Sequence, residues 1–411
     1  MTDYFDTLEI RESAAREEAL MRALPRQVAH AKNKSAYFER VLAQIDASAV
    51  TSRSALATLP VTRKSELKAL QAAAMPFGGL AARPLSEFPR VFMSPGPIYE
   101  PEGHRPDYWR MARALYAAGF RAGELVHNTL SYHFTPAGSM LETGAHALGC
   151  TVFPAGTGQT EMQVQAINHL RPTGYVGTPS FLKIIIEKAL ETNADIASIT
   201  KALVSGEALP PSLRQWLEAH GVRTTQTYAS ADLGNIAFES VAREGLILDE
   251  EVIVEIVRPG TGDPMPVGEV GEVVVTTLNP DYPLIRFATG DLSAILAGAS
   301  PCGRTNQRIR GWMGRADQTT KVKGMFVHPS QVAEVAKRHP ELSRVRLVVD
   351  SVDGQDRMTL HAEVLGSHAG LDAALAASLR DVTKLRGEVT LKRPGELAND
   401  GKVIDDIRKH D

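Results

Sequence analysis

Leu125-Val126-His127-Asn128, Thr151-Val152-Phe153, Gly174-Tyr175-Val176 and Lys201-Ala202-Leu203-Val204 are four short apolar runs of strand length. Between and around them lie stretches with helical spacing of apolar residues: Tyr108 to Ala118, Thr160 to Leu170, Phe181 to Glu191 and Pro211 to Ala219. Strands that run parallel need a crossover of a dozen or more residues, usually a helix, so this alternation predicts an α/β layered domain built on a parallel sheet. Upstream, Leu20, Leu24, Val28, Phe38, Val41, Leu42 and Ile45 recur at three- and four-residue steps, which predicts helix from Ala14 to about Ile45. A proline-rich break from Ala81 to Pro106 follows. Downstream of Asn235 the texture changes to β-branched segments punctuated by glycine and proline, such as Val252 to Val257 and Glu272 to Leu278, which predicts an antiparallel subdomain.

Beyond Gly314 the order is a strand-like run, a helix opened by Pro329 and Ser330, strands at Val345 to Val349 and Met358 to Val364, a helix from Leu371 to Leu385 and a last strand near Val389. That order is a split βαβ unit. The predicted fold is therefore α/β: a large multi-layer N-terminal domain, residues 1–316, with α/β sheets plus an antiparallel β subdomain, and a small α+β C-terminal domain, residues 317–411.

Composition excludes several functions. With 411 residues and 43% hydrophobic content the chain can bury large cores, and 45 Lys and Arg against 48 Asp and Glu give a net charge of -3. No basic stretch is present to track a phosphate backbone, so nucleic acid is not expected as a partner. Met1 to Ser13 lacks the basic and apolar regions of a secretion signal, and no apolar run approaches the roughly 20 residues that span a bilayer. Two cysteines, Cys150 and Cys302, make neither a disulfide framework nor a four-thiolate metal site, and a cytoplasmic location is expected. There is no Walker-type loop, no G-x-G-x-x-G opening a helix, no G-x-S-x-G elbow and no H-E-x-x-H.

Four stretches carry chemistry. Ser94-Pro95-Gly96-Pro97 is a turn-rich loop after Val91-Phe92 whose backbone could face an anion, though such residues commonly do no more than punctuate a chain. Ser205-Gly206-Glu207 and Thr227-Tyr228-Ala229-Ser230-Ala231-Asp232 both follow strand ends, and in a parallel sheet ligands sit at the carboxyl ends of strands. There Tyr228 can stack on a base and Asp232 can hold a hard cation such as magnesium; their bland alternatives are a half-buried aromatic and a turn cap. In Thr289-Gly290-Asp291 a carboxylate fixed by a Gly turn can accept from the vicinal hydroxyls of a ribose, or be an ordinary turn residue. Gly314-Arg315-Ala316-Asp317 and Asn399-Asp400-Gly401-Lys402 supply a planar cationic fork and a point charge on a turn, the latter otherwise a solvated tail lysine.

In this order the motifs resemble the phenylacetate-CoA ligase family of adenylate-forming enzymes, over nearly the whole chain. The resemblance includes Ser35-Ala36-Tyr37-Phe38, Leu59-Pro60-Val61-Thr62-Arg63-Lys64, Asn128, Tyr132, Phe134 and Gly138, and Gly177-Thr178-Pro179-Ser180-Phe181. Its most specific part runs from Gly268-Glu269 through Gly271-Glu272 and Thr277-Leu278 to Pro283-Leu284-Ile285-Arg286-Phe287-Ala288-Thr289-Gly290-Asp291, followed by Cys302-Gly303-Arg304 and Gly314-Arg315-Ala316-Asp317. It implies that Tyr228 stacks on adenine, that Asp291 binds the ribose with help from Arg315, and that Ser94, Gly96, Ser205, Gly206, Glu207 and Ala229 complete the nucleotide site. Asp317 falls at the hinge about which the small domain turns between two half-reactions. Lys402 corresponds to the catalytic lysine of the first half-reaction. ATP, Mg2+ and coenzyme A are the implied cofactors, a small carboxylic acid the substrate, and a homodimer the assembly. For the acid, Tyr132, Phe134, Ala137, Gly138, Gly177 and Ala229 are the expected pocket lining, and their mixture of aromatic and small residues suits a flat aromatic acid.

Three departures stand out. Where the family has a phosphate loop S-S-G-T-T-G-x-P, this chain has Ser94-Pro95-Gly96-Pro97-Ile98-Tyr99-Glu100-Pro101, in which two prolines remove backbone donors and Glu100 adds a carboxylate near a polyanion. Asp232 stands where the family has glutamate. A cysteine-and-histidine metal site of some relatives maps onto Ser240, Ile247, Ser300 and Cys302, so no zinc is expected. Three readings stay open on these residues: an ATP-dependent acid-CoA ligase; a non-catalytic relative that binds acyl-adenylate, AMP or acyl-CoA; and an adenylating enzyme with a non-CoA acceptor. Retention of Asp291, Arg315, Asp317 and Lys402 favours the first, and the altered loop the second.

Overall fold

The structure, a computed structural model, describes residues 3–258, 260–313, 315–316, 318, 320–323, 325–327, 329–352, 355–364, 366, 370–398 and 402–408. The chain divides into two compact units, Met1–Met313 and Gly314–Asp411, a division three residues before the boundary read after Ala316.

The first unit is organised by a nine-stranded sheet. Across it lie Ile295–Leu296, Arg308–Ile309, Leu246–Leu248, Gly234–Glu239, Arg223–Ser230, Lys201–Val204, Gly174–Gly177, Leu125–Asn128 and Thr151–Pro154. The last five are mutually parallel, and they include the four apolar runs that predicted such a sheet. Their connections are helices such as Thr160–Leu170, Pro179–Thr192 and Pro211–Ala219. The helix Pro179–Thr192 starts where it does because Thr178 accepts a hydrogen bond from the Phe181 amide and Pro179 needs no partner for a missing N–H. Val126, Val176, Ala202 and Val204 are fully buried on the sheet, with Leu182, Ile185 and Leu217 packed from the helices.

One expectation is corrected at the turn after Ser230. The chain reverses there, and Gly234–Glu239 pairs antiparallel with Arg223–Ser230 inside the same sheet, so the antiparallel region does not begin as a separate body. A second, four-stranded sheet then takes up the β-branched segments: Val252–Val257, Gly271–Thr277 and Phe287–Ser293 are antiparallel neighbours, and Thr62–Arg63 adds in parallel to Phe287–Ser293. The second correction is near the N-terminus. The single helical stretch breaks at Ser35 into Ser13–Lys34 and Ala36–Val41, because the Ser35 hydroxyl caps the second helix while donating to Gly79 O at 2.7 Å.

The second unit carries the sheet Glu388–Lys392, Gln355–Val364, Leu342–Val352 and Ile404–Asp406, with the hairpin Thr320–Val322 and Met325–Val327 and the helices Pro329–Lys337 and Leu371–Thr383. Its core includes Val332, Leu347, Val349, Leu360, Leu375 and Leu379. The strand Ile404–Asp406 was not read from the sequence, since only Ile404 of its three residues is buried and no period can show in so short a run. It joins Leu342–Val352 in parallel and fixes the chain two residues after Lys402. Among the described residues no helix is long and apolar enough to cross a membrane.

Candidate active site

The carboxyl ends of the parallel strands bring several predicted residues together. Tyr228, near the end of Arg223–Ser230, donates through its hydroxyl to Asp291 Oδ2 at 2.8 Å, and Thr289 Oγ1 lies at 3.2 Å from the same hydroxyl. Asp291 is held further by its own amide, which donates to Thr289 Oγ1 at 3.1 Å. Trp312 completes the arrangement, its Nε1 donating to Asp291 Oδ1 at 3.1 Å while the indole stays half exposed. Sequence reasoning missed Trp312; its one available signal was an aromatic two residues before the Gly314-Arg315 motif. Ser205 Oγ donates to Thr227 O at 3.0 Å, joining the two predicted loops, and Ser180 Oγ donates to Glu207 Oε2 at 2.5 Å. Gly206 between them has φ 80°, a conformation that costs other residues more.

Ser94 and Gly96 belong to a hairpin of Arg90–Ser94 and Ile98–Glu102, paired from Ser94 opposite Ile98 to Arg90 opposite Glu102. Pro95 and Pro97 leave Gly96 the sole N–H donor among the three tip residues. The Met93 amide donates to Phe134 O at 2.8 Å and ties the hairpin to the loop before the helix Ala137–Ala147. Glu100 differs from expectation. It points into the protein at 1% exposure, and burial together with the neighbouring Asp232 raises its pKa to about 8, so it does not confront a bound polyanion as an exposed charge.

Asp232, 5% exposed, accepts from Lys64 Nζ through Oδ2 at 2.6 Å, and its Oδ1 is buried without a partner. Burial works against the Lys64 charge, but the Asp232 carboxylate outweighs it and keeps the ammonium pKa raised. The ion pair of Lys64 with Asp232 spans 168 residues of sequence and leaves no local mark in it.

The expected acid-pocket residues sit more diversely. Asn128 Nδ2 donates to Tyr132 Oη at 2.8 Å and to Gly138 O at 2.9 Å, and Tyr132 Oη donates to Glu142 Oε2 at 2.6 Å. Ala137 and Ala229 are partly buried against the core that contains Met140, Val176 and Leu203. Gly138 and Gly177 are glycines of close approach: a Cβ on Gly138 would stand 2.9 Å from the Tyr132 ring, and one on Gly177 would stand 2.1 Å from Thr129 Oγ1 and 2.2 Å from Tyr175 Oη. Phe134 is 72% exposed with φ 62°. A cavity of about 580 Å³ lined by Arg214, Glu218, Glu239, Arg243 and Arg310 includes none of the predicted site residues, and four of these five side chains are paired as Arg214–Glu239 and Arg243–Glu218.

In the second unit Lys402 Nζ pairs with Asp405 Oδ1 at 2.8 Å, and the amides of Val403 and Ile404 donate to Gln318 Oε1 at 2.5 and 2.8 Å. The segment just after the expected hinge therefore holds the strand that follows Lys402. Arg315 also belongs to this unit, whereas Asp317, Asn399, Asp400 and Gly401 lie outside the described residues.

The four residues that map to the relatives' metal site do not fit a zinc ion. Ser300 Oγ lies 3.1 Å from Cys302 Sγ, and Arg304 Nη1 approaches the same sulfur at 3.8 Å. Burial pushes the Cys302 thiol up, but hydrogen bonds from Ser240, Ser300 and Arg304 bring it below the ordinary value. Ile247 is core at 2% exposure, so one thiol and two hydroxyls stand where a tetrahedral zinc needs four ligands. Among the described residues no group of three or more His, Cys, Asp or Glu is placed to hold a metal.

Residues 107–279 match the family model described as AMP-binding enzyme. The phenylacetate-coenzyme A ligase of Thermus thermophilus is 33% identical over 359 residues, which cover 83% of this chain and 80% of that protein. The chain belongs to the phenylacetate-CoA ligase family. Two further members, from Aromatoleum evansii and Escherichia coli K12, are each 31% identical, covering 79% and 70% of this chain and 77% and 68% of their own lengths. Membership makes the protein an adenylate-forming enzyme of the acid-CoA ligase class, to which ATP and CoA belong as substrates. A solved 2-hydroxyisobutyryl-CoA ligase, in complex with 2-HIB-AMP and CoA, superposes with a TM-score of 0.77 at 23% identity, covering 99% of this chain and 93% of that one. That likeness carries the fold alone.

Proposed function

We propose that the chain joins a small aromatic or arylacetic acid to CoA in two half-reactions. In the first, a carboxylate oxygen of the acid attacks the α-phosphorus of ATP, the bond to the bridging oxygen breaks, and pyrophosphate leaves. In the second, the CoA thiol, losing its proton, attacks the acyl carbon and AMP departs. The observation that carries this reading is the Tyr228–Asp291–Trp312 arrangement at the carboxyl ends of the parallel strands, a carboxylate that accepts from two side-chain donors, on a residue whose own amide is tied to Thr289, beside an aromatic ring. In it Tyr228 offers a face to adenine, Asp291 accepts from the ribose hydroxyls with Arg315 assisting, and Ser205, Gly206, Glu207 and Ala229 border the base. Ser94 Oγ and the Gly96 amide face the phosphates. Lys402 lends its charge to the α-phosphoryl group as it is attacked, and rotation about Asp317 then withdraws it.

Asp232 is the residue that fits a magnesium ion, because its buried Oδ1 is an acceptor in need of a partner. Bound there, the ion supplies charge neutralisation to the triphosphate. The substrate class is supported by the mixture of aromatic and small residues at Tyr132, Ala137, Gly138, Gly177 and Ala229, which suits a short, flat acid rather than a long chain. A cytoplasmic location and a homodimer complete the proposal; the two cysteines, neither in a disulfide, accord with a reducing compartment.

The proline-bearing tip favours a second reading, a relative that binds nucleotide without turning it over. Incubating the protein with ATP, magnesium and a panel of aryl and arylacetic acids, with and without CoA, separates the readings. Acid-dependent pyrophosphate release and CoA-dependent thioester are expected. AMP binding with no pyrophosphate from any acid would instead establish the binding protein, and pyrophosphate with no thioester would point to another acceptor.

A further inference from the structure

Four oxygen atoms in the interior beside the hairpin have no hydrogen-bond partner: Glu100 Oε1 and Oε2, Asp232 Oδ1 and Tyr282 Oη. Their residues are 1%, 5% and 2% exposed. Folded proteins leave few buried polar atoms unsatisfied, and a group of them in one place calls for a cause, of which a bound ion or water is one. These atoms do share one place. Glu100 and Asp232 repel one another, the Tyr282 hydroxyl feels both, and Lys64, 2.6 Å from Asp232 Oδ2, is drawn to Glu100 and Asp291 as well. Gln71 and Ser94 lie alongside Tyr282 and Glu100 without reaching hydrogen-bond geometry.

We propose that Glu100 is a second carboxylate ligand, beside Asp232, for the divalent cation that accompanies the nucleoside triphosphate. The proposal rests on the nucleotide reading above and concerns the stretch where this chain departs from its family. Lys64 supplies one positive charge and engages one oxygen of one carboxylate, which leaves three carboxylate oxygens to be satisfied. A hard divalent cation does that. Magnesium is commonly held by one or two carboxylates together with substrate phosphates and waters, so the absence of a three-ligand protein cluster among the described residues is what such a site shows before nucleotide arrives. The arrangement also accounts for the hairpin: Pro95 and Pro97 remove donors to phosphate, and a metal gripped from the same hairpin by Glu100 restores positive charge at that spot. Tyr282 Oη, a buried hydroxyl without a partner, is a donor that a metal-bound water would satisfy.

The test is equilibrium binding of Mn2+, followed by electron paramagnetic resonance of the free ion, to the full chain with α,β-methylene-ATP. Wild type, Glu100→Gln and Asp232→Asn are compared, and AMP binding without metal is measured on each. Glu100→Gln should weaken Mn2+ at least ~10-fold while leaving AMP affinity unchanged. Mn2+ binding as tight as wild type in a Glu100→Gln protein that binds AMP overturns the proposal while leaving the nucleotide reading intact. Failure of the wild type to bind AMP overturns the nucleotide reading itself. An unaltered chain gives an independent answer should the variant not fold: Fe2+ with ascorbate and peroxide should cleave the backbone both near Glu100 and near Asp232, and cleavage confined to the neighbourhood of Asp232 counts against Glu100.

Discussion

Tyr228 donates its hydroxyl hydrogen to Asp291 Oδ2 at 2.8 Å, across 63 residues of sequence and between the nine-stranded and the four-stranded sheet of the first unit. The bond aims the Asp291 carboxylate before any ligand arrives, so the ring of Tyr228 has two separable duties, a face for the base and a hydroxyl for the carboxylate. Tyr228→Phe keeps the face and loses a hydrogen bond to a charged group, a loss of about 1.5 to 3 kcal/mol at most. AMP affinity by calorimetry should fall about 3- to 30-fold in Tyr228→Phe and further in Asp291→Ala. Trp312→Phe removes the donor on Oδ1 and should give a loss of the same order as Tyr228→Phe. If both aromatic variants bind AMP like wild type, the orientation of Asp291 is immaterial to the nucleotide.

Lys402 separates the half-reactions. Because its charge acts on the α-phosphoryl group, Lys402→Ala should lower acid-dependent pyrophosphate release by ~100-fold or more. Thioester formation from a supplied acyl-adenylate and CoA should change less than about 3-fold, since the lysine has withdrawn by then. Equal losses in both assays would remove Lys402 from its proposed half-reaction and make it a residue of the fold.

The parallel strands were legible because burial on both faces forces continuous apolar runs, and Leu125–Asn128 and Lys201–Val204 are found with the ends read for them. The reversal at Asp232 to Gly234 was not, since Gly234–Glu239 is buried throughout and shows neither alternation nor a turn type that distinguishes a new sheet from a continued one. At the site, Tyr228, Asp291 and Asp232 carried a signal as side chains of the right chemistry at strand ends. Lys64 carried none and Trp312 only its place beside the Gly314-Arg315 motif, for their meaning lies in partners 168 and 21 residues away that only the folded chain brings near. Glu100 was legible as a departure, but its direction was not: a strand places alternate side chains on opposite faces, and which face looks inward is decided by what packs there.

His127 should give the protein an acid-sensitive component. It is fully buried, stacked on Phe153 with ring centroids 5.4 Å apart and bonded to Gln163 Oε1 at 2.6 Å. Burial lowers its pKa from 6.5 to about 4. Between those values the unfolded chain takes up a proton that the folded chain refuses, so stability falls as pH drops from 6.5 towards 4, by on the order of 3 kcal/mol from this group. His127→Gln has no proton to accept in that window. The difference in unfolding free energy between wild type and variant, measured by urea at intervals from pH 7 to 4, should narrow towards acid; a constant difference would show that His127 does not titrate between the two states.

Arg286 lies in the stretch most specific to the family, yet its role is in the scaffold. At 2% exposure it bonds Glu255 Oε2 at 3.0 Å and donates to the carbonyls of Ala57, Leu59 and Gly262 at 2.7, 2.6 and 2.6 Å. It thereby clamps the linker that leads to Lys64 onto the strand that leads to Asp291. Arg286→Met strands a buried carboxyl and three carbonyls, and breaking such a pair from one side destabilises by about 3 to 5 kcal/mol. Burial already pushes the Glu255 carboxyl up against the pull of Arg286, so in the variant Glu255 takes a proton rather than remaining a bare charge, which holds the loss to the lower part of that range. Arg286→Met with Glu255→Leu removes both charges and should recover part of the stability but not the Lys64 position, because the three carbonyls still lack their donor. The apparent melting temperature should therefore rank wild type, double variant, single variant, with AMP affinity less affected than Mn2+ affinity in both variants. A single variant that melts with the wild type would mean that the linker is held by its other contacts, among them the strand pairing of Thr62 with Phe287.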